Sequence, residues 1–527
     1  MSETVRSYRS KSRTVTKDSV SLLNGGIRLT RYALLIVLAL GVYAYWISRD
    51  TRRMEEFVST DATFRIVAHN LVENRARVQD TTVWSALPES WRNHPLPQLL
   101  RTQVGLPEWV QRNLIGQYVL ISGTDFMGFS DTIYITKLSR VGSILERMLR
   151  FSSESQPDAA GGLSIRHLTR SNLYYATRGR VALLSASRRA LIHALTLDDL
   201  ERVDAEEWDD SIWLQGNEDL RGTVSLEGLT EWGQYFPTAG FALRFEHNTG
   251  ILKLSLSCAD PFYEDFGESL RGGGAPKLPS PVAGPIQLST NLGGDAAGLW
   301  SSLGIVLNAK EEFGVRWTDW TSDTDPKSQA SYLAQLLANS GPGVALTWHG
   351  MEMDAIIPSH RFSLIAEHVN TDIASELSDL VENPPVEIMN AVYKRVNADH
   401  PWIEVVDVGG AARTAIVKPS RDGKRVFVST SVDLAEQYET DAPRRTYMDV
   451  AANVFLRVVP QEIVEHYIAF GEALVLDGLL EGYDAEAFID RAAELRDTVH
   501  GIETITATMV HEDETVNVDI VLKTTQP

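Results

Sequence analysis

Sixteen consecutive residues without a charge, Tyr32-Ala-Leu-Leu-Ile-Val-Leu-Ala-Leu-Gly-Val-Tyr-Ala-Tyr-Trp-Ile47, constrain this chain more than any other feature. As a helix the run spans about 24 Å, slightly short of a hydrocarbon core of about 30 Å. Tyr32, Tyr45 and Trp46 suit the interfacial belts, and Leu34, Leu35, Ile36, Leu38, Leu40 and Ile47 supply apolar surface. Residues 1–31 hold seven Lys/Arg against Glu3 and Asp18, so the tail carries +5 of a net charge of −21 and the remainder −26. The positive-inside rule then places residues 1–31 in the cytoplasm, 32–48 in the membrane as a signal anchor, and the bulk outside. Two rival readings stay open: a signal peptide cleaved after Ala44, and an Arg- and Ser-rich mitochondrial presequence. No Asn-x-Ser/Thr sequon occurs, so the expected location is a bacterial inner membrane with a periplasmic body.

The rest of the chain has the composition of a folded protein, with 43% hydrophobic and 23% charged residues. Its length of 527 residues suggests two to four domains. An acidic body repels phosphates, which excludes nucleic acid as an expected partner. A single cysteine, Cys258, rules out an intrachain disulfide and reads as a buried strand residue.

Residues 49–61 read as a juxtamembrane segment. The Gly/Pro-rich stretch 261–284 reads as a linker between 62–260 and 285–527. The two long segments look like copies. Phe64–Leu71 parallels Pro285–Leu292, Tyr118–Gly123 parallels Ala345–Gly350, and Tyr134–Gly142 parallels Trp402–Gly409. The clearest match sets Gly179, Ser185 and Ser187 beside Gly423, Ser429 and Ser431: a turn, a strand, and Ser-x-Ser leading into a helix that the last serine can cap. Each copy closes on a hairpin, Phe241–Ser257 and Thr506–Leu522. Helical spacing marks Arg361–Leu380, Val459–Leu474 and Asp484–Val499. The expected fold class is therefore α+β, one N-terminal transmembrane helix followed by two duplicated antiparallel-sheet-plus-helix domains.

Chemical signatures are sparse. The chain lacks a Gly-x-Ser-x-Gly elbow, His-Glu-x-x-His, a Walker A loop and Cys-x-x-Cys. His360 and His368, with His349 and Asp354 nearby, are too far apart on a helix to share an ion. Glu206/Glu207 and Asp209/Asp210 suit a solvated face better than general acid–base work. Of the twelve tryptophans, Trp84, Trp91 and Trp109 each read first as core packing, and the stretch they share, broken by Pro95, Pro97 and Pro107, fits an irregular surface against a membrane or a partner. Trp317 and Trp320 share one further face. No catalytic, cofactor or metal residue is assigned, and a non-enzyme is expected.

The strand, Ser-x-Ser and helix of Gly179–Ala190 and Gly423–Ala435 resemble an uncharacterised bacterial envelope family, domain of unknown function 3352. The resemblance spans about residues 62–525, implies anchored or secreted proteins with repeated α+β units, and carries no catalytic residues. The expected role is an interaction or scaffolding module bound to the lipid bilayer and to another envelope protein. A carrier for a hydrophobic ligand such as lipid is the alternative, and an enzyme with an unrecognised site a third reading.

Overall fold

The computed structural model describes residue 42 and residues 52–87, 108–149, 155–160, 163–168, 172–203, 218–266, 284–291, 340–352, 359–368, 391–397, 400–407, 414–419, 425–431, 433–436, 452–476, 485–512 and 514–525. In chain order the elements begin with β1 (Phe64–His69), α1 (Leu71–Gln79), α2 (Thr82–Ala86), α3 (Glu108–Leu114), β2 (Tyr118–Gly123), β3 (Ile133–Lys137) and α4 (Arg140–Leu149). There follow β4 (Ser155–Ala160), β5 (Leu163–Leu168), β6 (Leu173–Arg178), β7 (Val181–Ser185), α5 (Arg188–Thr196), β8 (Leu220–Ser225), β9 (Thr238–Phe245), β10 (Thr249–Ser257) and α6 (Asp260–Asp265). The remainder comprises β11 (Ile286–Asn291), β12 (Ser340–Glu352), β13 (Ser359–His368), β14 (Ala391–Asn397), β15 (His400–Asp407), β16 (Thr414–Pro419) and β17 (Arg425–Ser429). Last come β18 (Val454–Val458), α7 (Pro460–Leu476), α8 (Ala485–Val499), β19 (Ile502–Glu512) and β20 (Thr515–Thr524).

The chain divides into two units. The first, Met1–Ala62 with Val104–Ser211, holds an antiparallel run β2-β3-β7-β6-β5-β4. Its interior strands are short apolar runs: Leu120, Ile121, Ile135, Val181 and Leu183 are buried, as expected of strands covered on both faces. Between β6 and β7 the two-residue turn opens with Gly179 at φ +64, a conformation that a side chain disfavours. Within residues 49–61, Met54, Phe57 and Val58 are buried.

The second unit, Thr63–Gln103 with Ile212–Pro527, joins β1-β8-β9-β10-β20-β19-β18-β11-β12-β13-β17-β16-β15-β14, every neighbour antiparallel. Strand order recurs within it and across the chain. The run β2-β3-β7-β6-β5-β4 of the first unit has the connectivity of β12-β13-β17-β16-β15-β14, and β1-β8-β9-β10 that of β11-β18-β19-β20. Buried pairs recur with it: Ile135 faces Leu183 as Ile365 faces Phe427. Ile365 and Phe427 form a core cluster with Ala345, Ile416 and Ala435, each large side chain contributing about 1.5–3 kcal/mol by leaving water.

Two hairpins meet at the β10–β20 seam. Thr249 faces Lys523 at one end, Ser257 faces Thr515 at the other, and Lys253 faces Asp519 midway. Gly250 faces Phe245 just as Val516 faces His511, so exchanging the hairpins leaves the register unchanged.

These findings correct three expectations. The α+β architecture of two duplicated domains gives way to a large antiparallel sheet with few helices among the described residues. The reason is the seam: β10 would be an open edge in an isolated half, and pairing it along its length with β20 satisfies both edges at once. The anchor residues Tyr32, Leu34, Leu35, Ile36, Leu38, Leu40, Tyr45, Trp46 and Ile47 lie outside the described residues, as does most of the Gly/Pro-rich stretch. Among the described residues no helix is long and apolar enough to cross a membrane. The longest, α7, has 17 residues and carries Glu462, Glu465, His466 and Glu472. On this finding the expected single-pass protein of a bacterial inner membrane, with its periplasmic body, is corrected. Finally, Arg361–His368, expected as the start of a helix, belongs to strand β13, and its zipper to β12 and β17 outweighs local spacing. Strand β13 therefore corresponds to β3, which the sequence matched to Trp402–Gly409.

Candidate functional site

Helix α4 turns the wrong face to solvent. Val141, Ile144, Leu145 and Met148 recur at i, i+3, i+4 and i+7 and make one apolar stripe about 100° wide. Such a stripe ordinarily faces the core. Here Val141 is 50% exposed and Met148 67%, with Ile144 and Leu145 half-buried between them. The opposite side, Gly142, Ser143 and Glu146, is the buried one.

Local structure explains why the helix docks this way. Ser139 Oγ accepts the N–H of Gly142 at 2.8 Å and bonds Asn113 Oδ1 at 2.6 Å, tying the first turn to the end of α3. An atom added at Gly142 as Cβ would lie 1.8 Å from the carbonyl oxygen of Asn113, so only glycine permits the approach. Ser143 Oγ donates back to Arg140 O at 2.8 Å and needs no water. On α3, Val110 and Gln111 are buried while Trp109 is 57% exposed. The exposed charges of α4, Arg140 and Arg147, are both positive.

A second feature is a polar cavity of about 660 Å³ in the second unit, lined in part by His69, Asn74, Arg77, Glu218, Arg244 and His247. Two of its lining residues, Arg77 and Phe245, bind a wholly buried carboxylate. Asp219 takes the guanidinium of Arg77 and, at 2.8 Å, the N–H of Phe245, and Arg77 also donates to Phe245 O. Burial pushes the Asp219 carboxyl up, and the Phe245 amide and Arg77 pull it back. Asn70, at φ 44, starts α1, and Asn74 Nδ2 reaches back to His69 O at 2.9 Å. Arg77 and Asp219 are 142 positions apart, which is why no local motif announced them. Charged groups on its wall unfit this space for an apolar ligand.

The repeated serines are structural. Ser185 Oγ accepts the N–H of Ser187 at 3.0 Å, and Ser429 Oγ that of Ser431 at 3.1 Å. Ser185 donates onward to Thr132 O at 2.7 Å. Ser187 caps α5 through the N–H of Ala190 at 3.2 Å. Ser431 turns its hydroxyl to Asp433 instead, and Asp433 meets Arg361 at 2.6 Å. The Ser431 hydroxyl first, then Arg361, holds the Asp433 carboxyl below the usual carboxylate range. Gly423 lies outside the described residues.

The other residues singled out in the sequence do not converge. His360 and His368 stand near the two ends of β13, about 26 Å apart at about 3.3 Å per residue. His349 Nε2 lies 2.8 Å from Ser363 Oγ, a spacing that would suit a nucleophile and its base, but Ser363 is wholly buried and closed to substrate. Among the described residues no three His, Cys, Asp or Glu side chains are placed to hold a metal. Cys258 follows β10 directly, half-buried against the cluster of Tyr235, Phe262 and Phe266, and burial pushes its thiol up. Trp84 is buried edge-on to Phe245. Asp354, Glu206, Glu207, Asp209, Asp210, Trp91, Trp317 and Trp320 lie outside the described residues. Tyr134–Gly142 reads locally as one strand, which masks the outward stripe although the i, i+3, i+4, i+7 spacing from Val141 is present in the sequence.

Fold and site together define an antiparallel β protein with internally recurring strand order and an apolar helix face turned to solvent. No family model matches the chain. No curated protein matches it either. Among solved structures, crystal forms III, IV and I of TP0453 are similar over 43%, 40% and 40% of this chain and 90%, 82% and 80% of that chain. Their TM-scores are 0.23, 0.24 and 0.25 and their identities 9%, 10% and 9%, a likeness that carries no argument.

Proposed function

We propose that the chain is a non-enzymatic interaction protein and that the outward stripe of α4 is its docking face. One observation carries this reading: α4 buries Ser143 and Glu146 while leaving Val141 and Met148 in water. Exposing apolar surface costs about 25 cal/mol per Å² that the reverse orientation would recover. A helix fixed in that orientation by Gly142 and Ser139 serves a second surface better than it serves this one's stability.

Two methionines make the test internal. Met127, 74% exposed in the β2–β3 loop, and Met148 oxidise at similar rates in the purified protein if exposure governs the reaction. Inside the producing cell, Met148 is expected to be protected several-fold relative to Met127. Equal oxidation of the two in the cell would remove the docking face.

A further inference from the structure

Resting on that reading, we infer that the surface α4 docks on is an anionic lipid surface, with the stripe lying in the headgroup boundary. Charge is the first argument. The chain as a whole carries −21, yet residues 137–150, which contain α4, hold Lys137, Arg140, Arg147 and Arg150 against Glu146 alone. On α4 itself the lone acid, Glu146, is buried on the inward side, and Arg140 and Arg147 are exposed along one edge of the stripe. An apolar face bordered by cations is the pattern of helices that lie in a membrane interface. Trp109, exposed on the neighbouring α3, presents an indole of the kind that settles at headgroup level.

Size is the second argument. A helix of 10 residues is about 15 Å long, so its stripe covers far less than the roughly 800 Å² per partner that a stable protein interface needs. A lipid surface asks for no matching shape and accepts a few side chains to a depth of about 5–10 Å. Each arginine near an anionic surface strengthens binding by about fivefold at moderate ionic strength.

The full chain, mixed with vesicles of phosphatidylcholine alone or with phosphatidylglycerol added, tests this through the Met148-to-Met127 oxidation ratio. The ratio reports α4 alone, whatever other segments bind. Expected are several-fold protection of Met148 on the anionic vesicles, none on the neutral ones, and loss of protection in high salt. The exposed-site variants Arg140→Gln and Arg147→Gln should each weaken it by about fivefold. Val141→Asp should abolish it, with far-UV circular dichroism confirming an unchanged fold. If vesicles never protect Met148, or protect it equally in the Val141→Asp variant, the lipid assignment is overturned. Protection in the cell without protection on vesicles would leave the docking face standing with a protein as its partner. Absence of protection in both settings would remove both readings.

Discussion

Helices α4 and α7 are both amphipathic, yet they bury opposite faces. Helix α7 packs on β12 and β19, sinks Ile468, and sends Glu462, Glu465 and Glu472 to solvent. Its fit against β12 depends on Gly350, at φ +96, where an added Cβ would lie 2.3 Å from the His466 ring. Helix α4 also depends on a glycine, but Gly142 admits the carbonyl of Asn113 on the polar side and leaves the apolar stripe outside. Glycine fixes where each helix sits. What differs is which face the contact covers: α7 sinks Ile468, whereas α4 leaves Val141 and Met148 in water.

The sharpest way to break this contrast is Ile468→Ala. Ile468 is buried against the sheet, so the deletion should cost about 3 kcal/mol in transfer and cavity terms, read by urea unfolding. A loss under about 1 kcal/mol would mean that α7 is held as loosely as α4.

The outward faces differ as well, by chemistry. On the α7–α8 surface Arg496 pairs with both oxygens of Glu465, at 2.7 and 2.8 Å. The hydrogen bond from Arg496 first, then its charge, holds the Glu465 carboxyl below the usual carboxylate range. A lowered folded pKa gives stability that is present above the unfolded value and lost as pH falls through the folded one. Glu465→Gln should therefore lower Tm slightly at neutral pH, and the gap to the wild type should close below the ordinary carboxylate range. A gap that widens on acidification would show that the pair is not holding the proton off. The effect is small because both side chains are exposed.

Much of this arrangement can be read from local sequence where local rules decide. Helix α8 and strand β2 fall where spacing and β-branched runs put them, and Ser187 caps α5 as Ser-x-Ser suggests. The failures come from long-range pairing. Arg361–His368 has helical spacing, yet β12 and β17 on either side make it a strand, and that error shifted the match for β3. Halves that look separable by a Gly/Pro-rich stretch are joined by the β10–β20 seam, which depends on partners about 260 residues apart. The Arg77–Asp219 pair is hidden for the same reason. For α4 the periodicity shows the stripe but not its direction, because nothing local tells a helix which face its neighbours will cover.

The smallest expected effect is the most telling. Met148→Ala removes as much apolar side chain from α4 as Ile468→Ala removes from α7, and by composition the two changes look alike. Met148 is already two-thirds in water, so little transfer energy is lost and no cavity is left, and unfolding stability should change by less than about 0.5 kcal/mol. A helix that kept its stripe for its own fold could not tolerate the change so cheaply. If Met148→Ala instead costs 2 kcal/mol or more on the order expected for core truncation, the stripe is packed in solution, and both the inverted orientation of α4 and the docking face built on it fall together.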